Sequence, residues 1–234
     1  MIICLETATN LCSVALIDSA GVISVRESDE SKSHASQLTL FIREILNNNG
    51  INARDLDGIA VSKGPGSYTG LRIGVSVAKG IAYGTSIPLI GVETTLSMFY
   101  GIISEKYSST GPEINTLFCP MLDARRMEVY YAVYDAEGNK IRNITAEIIT
   151  KETFSEYPAS QKIIFFGDGA LKCREVIDRK NAIFTSEFMM SASYMYQPVL
   201  KAFNNHNFED VAYFEPLYLK DFITSKPRKN ILGK

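Results

Sequence analysis

Apolar residues come in short blocks at the start of the chain, and then the rhythm changes. Ile2 to Leu5 and Ser13 to Ile17 are blocks of strand length, and Val22 to Arg26 follows the polar turn Asp18-Ser19-Ala20-Gly21. Blocks this short, parted by turn residues, predict three strands in an antiparallel meander. From His34 the period lengthens: Ala35, Leu38, Phe41, Ile42, Ile45 and Leu46 recur three and four positions apart, the stripe of an amphipathic helix. Ser31 or Ser33 would cap this helix out of a polar loop, and Asn47-Asn48-Asn49-Gly50 would end it. Phe41 and Leu46 widen the stripe, so the helix has material for a second buried surface. Leu56 to Val61 then predicts a strand, Thr69 to Tyr83 a helix, Leu89 to Gly91 a strand and Thr94 to Ser104 a helix.

Ser108-Ser109-Thr110-Gly111-Pro112 breaks the pattern. After it the order of elements returns. Asn115 to Leu122, Val129 to Tyr134 and Ile141 to Ile149 predict strands, and Thr153 to Tyr157 a short helix. Lys162 to Phe166 predicts a strand, Ala170 to Asp178 a helix, Ala182 to Phe184 a strand and Ser191 to Asn204 a helix. Each half therefore reads β-β-β-α-β-α-β-α, an α/β fold of two similar domains. That layout resembles the actin-like (ASKHA, ribonuclease H-like) superfamily of ATPases and sugar kinases. It places an N-terminal domain at 1–106, a C-terminal domain at 107–220 and a basic tail at 221–234, with the last long helix near 191–205 joined to the first domain.

Between the fourth strand and its helix lies Ser62-Lys63-Gly64-Pro65-Gly66-Ser67-Tyr68-Thr69-Gly70-Leu71-Arg72-Ile73-Gly74. Two readings compete for it. Backbone N–H groups at a helix start attract anions, and a residual phosphate site here would draw on Glu6, Thr7, Thr9, Gly64 and Gly66. Alternatively, Gly-Pro-Gly is only a tight turn feeding a closely packed helix. Gly70, Gly74, Ala78 and Ala82 recur every four residues and strip one face of that helix. Gly74 and Gly80 would each cost about 1 kcal/mol against Ala. Close approach of another helix or a partner chain would compensate, and on that reading Gly74→Leu weakens association without unfolding the chain.

Composition narrows the chemistry. The formal charge of −2 gives no global pull toward nucleic acid; the tail with Lys226, Arg228, Lys229 and Lys234 reads first as a solvated end, with contact to RNA backbone as the functional alternative. No apolar run is long enough to span a bilayer, and Met1 to Leu5 has neither basic start nor cleavage signal, which predicts a cytoplasmic protein. Cys4, Cys12, Cys119 and Cys173 form no Cys-x-x-Cys pair and read as reduced core residues. His34 and His206 are the only histidines, so no helix carries a pair of them as metal ligands.

A catalytic kinase of this fold would need phosphate loops in both halves. The first strand ends in Glu6-Thr7-Ala8-Thr9, where Glu6 is a methylene longer than Asp and Ala8 puts a Cβ where backbone would meet phosphate. The second half reads Asp123-Ala124-Arg125-Arg126-Met127-Glu128 without glycine; only Gly167-Asp168-Gly169 keeps a cradling turn. The glycine block fits neither the P-loop nor the dinucleotide fingerprint nor the nucleophile elbow. Ser67, His34 and Asp123 could be drawn as a triad, but nothing in the sequence brings them together, and Asp123 with Glu128 reads as two separate salt bridges.

The residues then identify a family. Leu5-Glu6-Thr7-Ala8-Thr9, Lys63 to Gly74, Ile87 to Val92, Asp123 to Arg126, Glu128-Val129-Tyr130 and Glu215-Pro216-Leu217-Tyr218-Leu219 follow one another at suitable spacing. Together they resemble the bacterial TsaB (YeaZ) family over almost the whole chain. Two departures are visible, Glu6 where many members have Asp and Met127 where many have Gly. The resemblance implies a non-catalytic partner of a TsaD enzyme, with a TsaE-type ATPase joining the pair. The product is threonylcarbamoylated adenosine beside the anticodon of tRNAs that read codons starting with A. It implies no cofactor and no metal for this subunit, and contact with tRNA through the complex. It also places the interface on the helices His34–Leu46 and Thr69–Tyr83. The residues expected there are His34, Leu38, Phe41, Ile42, Leu46, Gly70, Ile73, Gly74, Val77, Ala78 and Ile81, and the same face would serve a homodimer of the isolated chain. An active ATPase or small-molecule kinase of the actin-like superfamily stays open as the alternative, and a peptidase has no triad or metal set to support it.

Overall fold

The computed structural model describes residues 1–28 and 34–220. The cap expected from Ser31 or Ser33 and the basic tail at 221–234 lie outside the described residues. The first half runs β1 (Ile2–Glu6), β2 (Cys12–Ile17), β3 (Val22–Ser28), α1 (His34–Asn48), β4 (Gly58–Gly64), α2 (Tyr68–Thr85), β5 (Leu89–Glu93) and α3 (Thr94–Lys106). The second half runs β6 (Leu117–Asp123), β7 (Glu128–Tyr134), β8 (Lys140–Ile148), β9 (Ile163–Phe166), α4 (Ala170–Cys173), β10 (Ala182–Thr185) and α5 (Tyr196–Asn204).

Each half forms one five-stranded sheet, in the orders β3-β2-β1-β4-β5 and β8-β7-β6-β9-β10. The meander pairs antiparallel as expected, Ile3 opposite Leu16 and Val14 opposite Arg26, while β4 and β5 add in parallel. The second sheet repeats this pairing strand for strand. The repeat is thus one of topology, an α/β architecture of two actin-like domains.

Alternation along β1 sorts the core into layers. Ile3 and Leu5 point to α1 and α2, in a cluster with Leu38, Ile42, Val61, Val75 and Ala78. Ile2 and Cys4 point the other way, onto Ala192, Met195 and Val199. Burial on both faces explains why β1, β2 and β4 read as continuous apolar runs rather than alternating ones. Helix α3 lies against the inner face of the second sheet, where Met98, Phe99 and Ile102 meet Phe118, Tyr134 and Phe166. The buried bond between Thr95 Oγ1 and Tyr134 Oη (2.9 Å) ties the two halves at this layer. All four cysteines are free and buried.

Three expectations are corrected. The second half lacks the helix expected at Thr153–Tyr157, so it reads β-β-β-β-α-β-α. Phe154 takes a φ of 78° there and is fully buried against Tyr131 and Phe165. The guanidinium of Arg179 donates to the carbonyls of Phe154, Tyr157, Pro158 and Gln161, which holds the segment as a series of turns. The helix expected at Ala170–Asp178 stops at Cys173, and the chain continues in tight turns such as Arg174 N–H to Leu171 O and Val176 N–H to Cys173 O. The last helix is a 3-10 turn over Ala192–Met195 followed by α5, because Pro198 has no N–H to carry an α pattern across the join.

After Ser191 the chain stays with the first half. The 3-10 turn and α5 cover the first sheet, Glu209 N–H bonds to Leu89 O, and Phe214 is buried beside α2. Residues 209–220 form a strap along the outside of α2.

Candidate partner interface

The glycine block is where three parts of the chain converge. Strand β4 delivers Lys63 and Gly64, a cis Gly64–Pro65 bond turns the chain, and Ser67 caps α2 by accepting the Gly70 N–H at 3.2 Å. The loop after β1 crosses this turn, its Ala8 carbonyl accepting the Ser67 N–H at 2.7 Å. His34 Nε2 bonds the Thr9 carbonyl at 2.8 Å and so ties the start of α1 to the same loop. The strap then closes over it, with Leu217 N–H bonded to Lys63 O at 2.6 Å. Arg72 sits over the Tyr68 ring and donates from Nε to Tyr218 Oη at 3.0 Å. Lys79 donates to the Ala212 and Phe214 carbonyls, and Lys63 pairs with Glu209. The Glu215–Leu219 motif and the glycine block, far apart in sequence, are therefore one contact.

The glycines record how close these contacts are. A Cβ on Gly64 would lie 2.9 Å from Leu217 O, and one on Gly66 would lie 2.7 Å from Ala8 Cβ. One on Gly70 would run into the Thr7 carbonyl, and one on Gly74 into Thr7 Oγ1 with Val61 at 3.3 Å. The small-residue face of α2 is thus covered by its own sheet and by Thr7. The expectation that it meets a partner is corrected, and Gly74→Leu would disrupt the fold itself. The interface residues divide accordingly. Leu38, Ile42, Leu46, Gly70, Gly74 and Ala78 are buried against the first sheet, whereas His34, Phe41, Ile73, Val77 and Ile81 are half-buried and keep one side open. Beyond them lie the exposed Leu40, Ser76, Gly80 and Tyr83. An open groove of about 660 Å³, lined by Lys79, Gly80, Tyr83, Asp210, Val211 and Ala212, extends this face onto the strap.

The expected anion site is also corrected. Donors of the loop after β1 are turned onto the chain's own side chains: Thr7 N–H on Ser62 Oγ, Ala8 N–H on Glu6 Oε1 and Leu11 N–H on Thr9 Oγ1. Glu6 is fully buried, accepts from Ser62 Oγ at 3.1 Å, and leaves Oε2 without a partner among the described residues. Burial pushes its carboxyl up to about 7, against hydrogen bonds from Ala8, Ser62 and Thr7 that pull it down. The space between the halves, about 190 Å³, is lined by Thr9, Asn10 and Leu11 facing Met98, Leu122, Gly167, Asp168, Phe188, Met189 and Met190. A Cβ on Gly169 would meet the Leu122 backbone at 2.8 Å, so this turn cradles its own chain. The residues present do not fit a nucleotide phosphate.

The drawn triad is not assembled. His34 is on Thr9, Ser67 on Gly70, and Asp123 pairs with Lys172. Asp123 and Glu128 flank the β6–β7 turn with a lysine each, Lys172 and Lys220. Among the described residues no cluster of His, Cys, Asp or Glu could hold a metal ion, and no helix is long and apolar enough to cross a membrane. The strap was missed in the sequence; its only signal was a Pro-containing motif without a predicted element.

Residues 25–222 match the profile of a family described as TsaD: tRNA N6-adenosine threonylcarbamoyltransferase. The tRNA threonylcarbamoyladenosine biosynthesis protein TsaB of Escherichia coli (strain K12) is 34% identical over 140 residues, 60% of this chain and 57% of that protein. The protein of that name from Haemophilus influenzae is 25% identical over 237 residues, 96% of this chain and 95% of its own length. Among solved structures, YeaZ from Pseudomonas aeruginosa superposes with a TM-score of 0.80 at 22% identity, covering 93% of this chain and 99% of that one, a likeness of fold.

Proposed function

The chain belongs to the tRNA N6-adenosine threonylcarbamoyltransferase (TsaD) family, in its TsaB (YeaZ) group, and its role lies in tRNA threonylcarbamoyladenosine biosynthesis; we propose that it is the non-catalytic subunit that binds and activates a TsaD-type enzyme. The modified adenosine is the one next to the anticodon of tRNAs reading codons that start with A. A TsaE-type ATPase joins the pair, the work is done in the cytoplasm without a cofactor of this subunit, and the isolated chain pairs with itself through the same face.

The observation that carries this reading is the outer flank of α2. Ile73, Val77 and Ile81 repeat every four residues with one side open, packed with Phe41 of α1 against one core cluster. The helix under them is fixed by the Ser67 cap, the Thr7 contact and the strap, so the face is rigid before a partner arrives, and rigidity lowers the cost of binding. The small space between the halves, about 190 Å³ and lined largely by Met, Leu and Phe side chains, weighs against the kinase alternative.

Size-exclusion chromatography with the cognate TsaD-type chain tests it. Wild type should co-elute one to one. Leu40→Glu with Ser76→Arg, both at exposed positions, should elute separately and unfold at the wild-type midpoint. Co-elution of that variant would refute the interface. Threonylcarbamoyl transfer by the purified chain alone, or tight one-to-one binding of magnesium ATP in calorimetry, would refute the non-catalytic role.

A further inference from the structure

The turn between β6 and β7 carries the only Arg-Arg pair in the sequence, and both residues hold left-handed backbone, φ 70° at Arg125 and 54° at Arg126. That region favours Gly or Asn, and a bulky side chain there is a strained choice. The arginine side chains do not shape the turn. Asp123 Oδ1 accepts the Arg125 N–H at 2.8 Å, Ala124 N–H bonds Glu128 O at 3.1 Å, and Glu128 N–H bonds Arg125 O at 3.3 Å. Nearby carboxylates are already engaged: Asp123 with Lys172, Glu128 with Lys220, and Asp168 Oδ1 with the Asp123 N–H at 3.0 Å. Lys172 also donates to the Arg126 and Glu128 carbonyls. Both arginines are exposed; against burial, which raises the Asp123 carboxyl, Lys172 and then the charge of Arg125 help to lower it, but neither guanidinium makes a hydrogen bond or a close ion pair with a described residue. The turn thus aims two fork-shaped cations outward at a backbone cost, on a chain whose formal net charge is −2. Its sequence continues from Lys220 into Lys226, Arg228, Lys229 and Lys234 against the single acid Asp221.

We propose that the Arg125–Arg126 turn is a contact for the phosphate backbone of RNA, so that this subunit itself helps seat the tRNA. The proposal rests on the tRNA-modification reading above and adds a surface on the β6–β7 turn, outside the open flank of α1 and α2, that meets the nucleic acid. Guanidinium forks match phosphate oxygens, often two bonds at a time. Met127 is the one exposed apolar side chain at the tip, too little for a lipid surface.

Arg125→Asn with Arg126→Gly removes both charges and installs residues at home with positive φ, so the turn keeps its shape. Arg125→Lys with Arg126→Lys keeps the charges. Binding of unmodified tRNA is measured across a salt series, for the isolated full-length chain and for its complex with the TsaD-type partner. The neutral variant should still form the complex. Its tRNA affinity should fall about tenfold at moderate salt, equally for tRNAs of any anticodon, and the slope of log affinity against log salt should drop by about 2, near 1 per lost phosphate contact. The lysine variant should keep the slope. Unchanged tRNA affinity and slope in the neutral variant would overturn the proposal, as would an equal loss in both variants. Loss of the protein complex with tRNA binding intact would overturn it too, by assigning the arginines to a protein interface. If wild type formed no complex, the function proposed above would fail, while the isolated chain's tRNA binding would still decide this proposal.

Discussion

Gly70→Ala and Gly80→Ala make the same chemical change ten residues apart in α2, and the structure gives them opposite signs. At Gly80 the backbone is helical and nothing lies within 4 Å of an added Cβ. The methyl group is free to reduce the entropy of the unfolded chain, worth about 0.4–1 kcal/mol of added stability. At Gly70 the added atom would run into the Thr7 carbonyl, with His34 Cδ2 at 3.2 Å on its other side. The obstacle is backbone, so no rotamer change relieves it, and α2 must draw away from the end of β1. Overpacking of this kind costs about 1–3 kcal/mol. Gly70 is also in the first turn, three residues after the Ser67 cap, and any shift strains the bond from its N–H to Ser67 Oγ.

The two variants should therefore differ by about 1.4–4 kcal/mol. For a chain of this size 1 kcal/mol moves the unfolding midpoint by about 2–4 °C. Circular dichroism melts in one buffer should place Gly80→Ala a few degrees above wild type and Gly70→Ala several degrees below. If Gly70→Ala melts at or above Gly80→Ala, the close packing of α2 on Thr7 is wrong, and the small-residue face must be open after all.

Two further outcomes are expected. A carboxyl whose folded pKa is raised, here Glu6 at about 7 through burial, adds stability that is complete below its ordinary 4.5 and is lost as pH climbs through 7, about 3 kcal/mol in all. Wild type should thus melt lower at pH 8 than at pH 5, and Glu6→Gln should flatten that slope and melt higher at pH 8; parallel slopes would contradict the buried carboxyl. Leu217→Pro deletes the N–H that Lys63 O accepts, so limited proteolysis should nick the variant within the strap at residues 209–220 while wild type resists; equal resistance would mean that the strap is held by other contacts.

Much of the fold was readable in the chain because each sheet is buried on both faces, which turns β1, β2, β4 and β6 into unbroken apolar runs. Other features depended on partners remote in sequence. Nothing in Thr153 to Tyr157 announces that Arg179 will take its carbonyls. Periodicity gave α2 a small face and a large face, but not what covers either. Thr7 and Val61 cover the small one, which leaves Ile73, Val77 and Ile81, expected at the interface together with it, as the open part of α2. The Glu215–Leu219 motif had no place until its strap met the glycine block. The stretch Asp123 to Glu128 showed only its lack of glycine, and the left-handed backbone of Arg125 and Arg126 is a shape that only coordinates reveal.

The glycines join these points in one physical account. In a fold of this class, glycine lets backbone come close to something, and what that is decides what the site can do. At Gly64 it is Leu217, at Gly66 Ala8, at Gly70 and Gly74 Thr7, and at Gly169 Leu122. Each approach that could have admitted a phosphate is spent on the chain's own backbone or side chains. The same contacts clamp the base of α2 from three sides, by the β1 loop, by β4 and by the strap. Closing the interior and stiffening the exterior are thus one set of interactions: the residues that pack the loops against one another also hold Ile73, Val77 and Ile81 in place for the proposed partner. A substitution that loosens this clamp should weaken association even though it touches no interface residue, which makes Gly70 a positioning residue for a surface it never reaches.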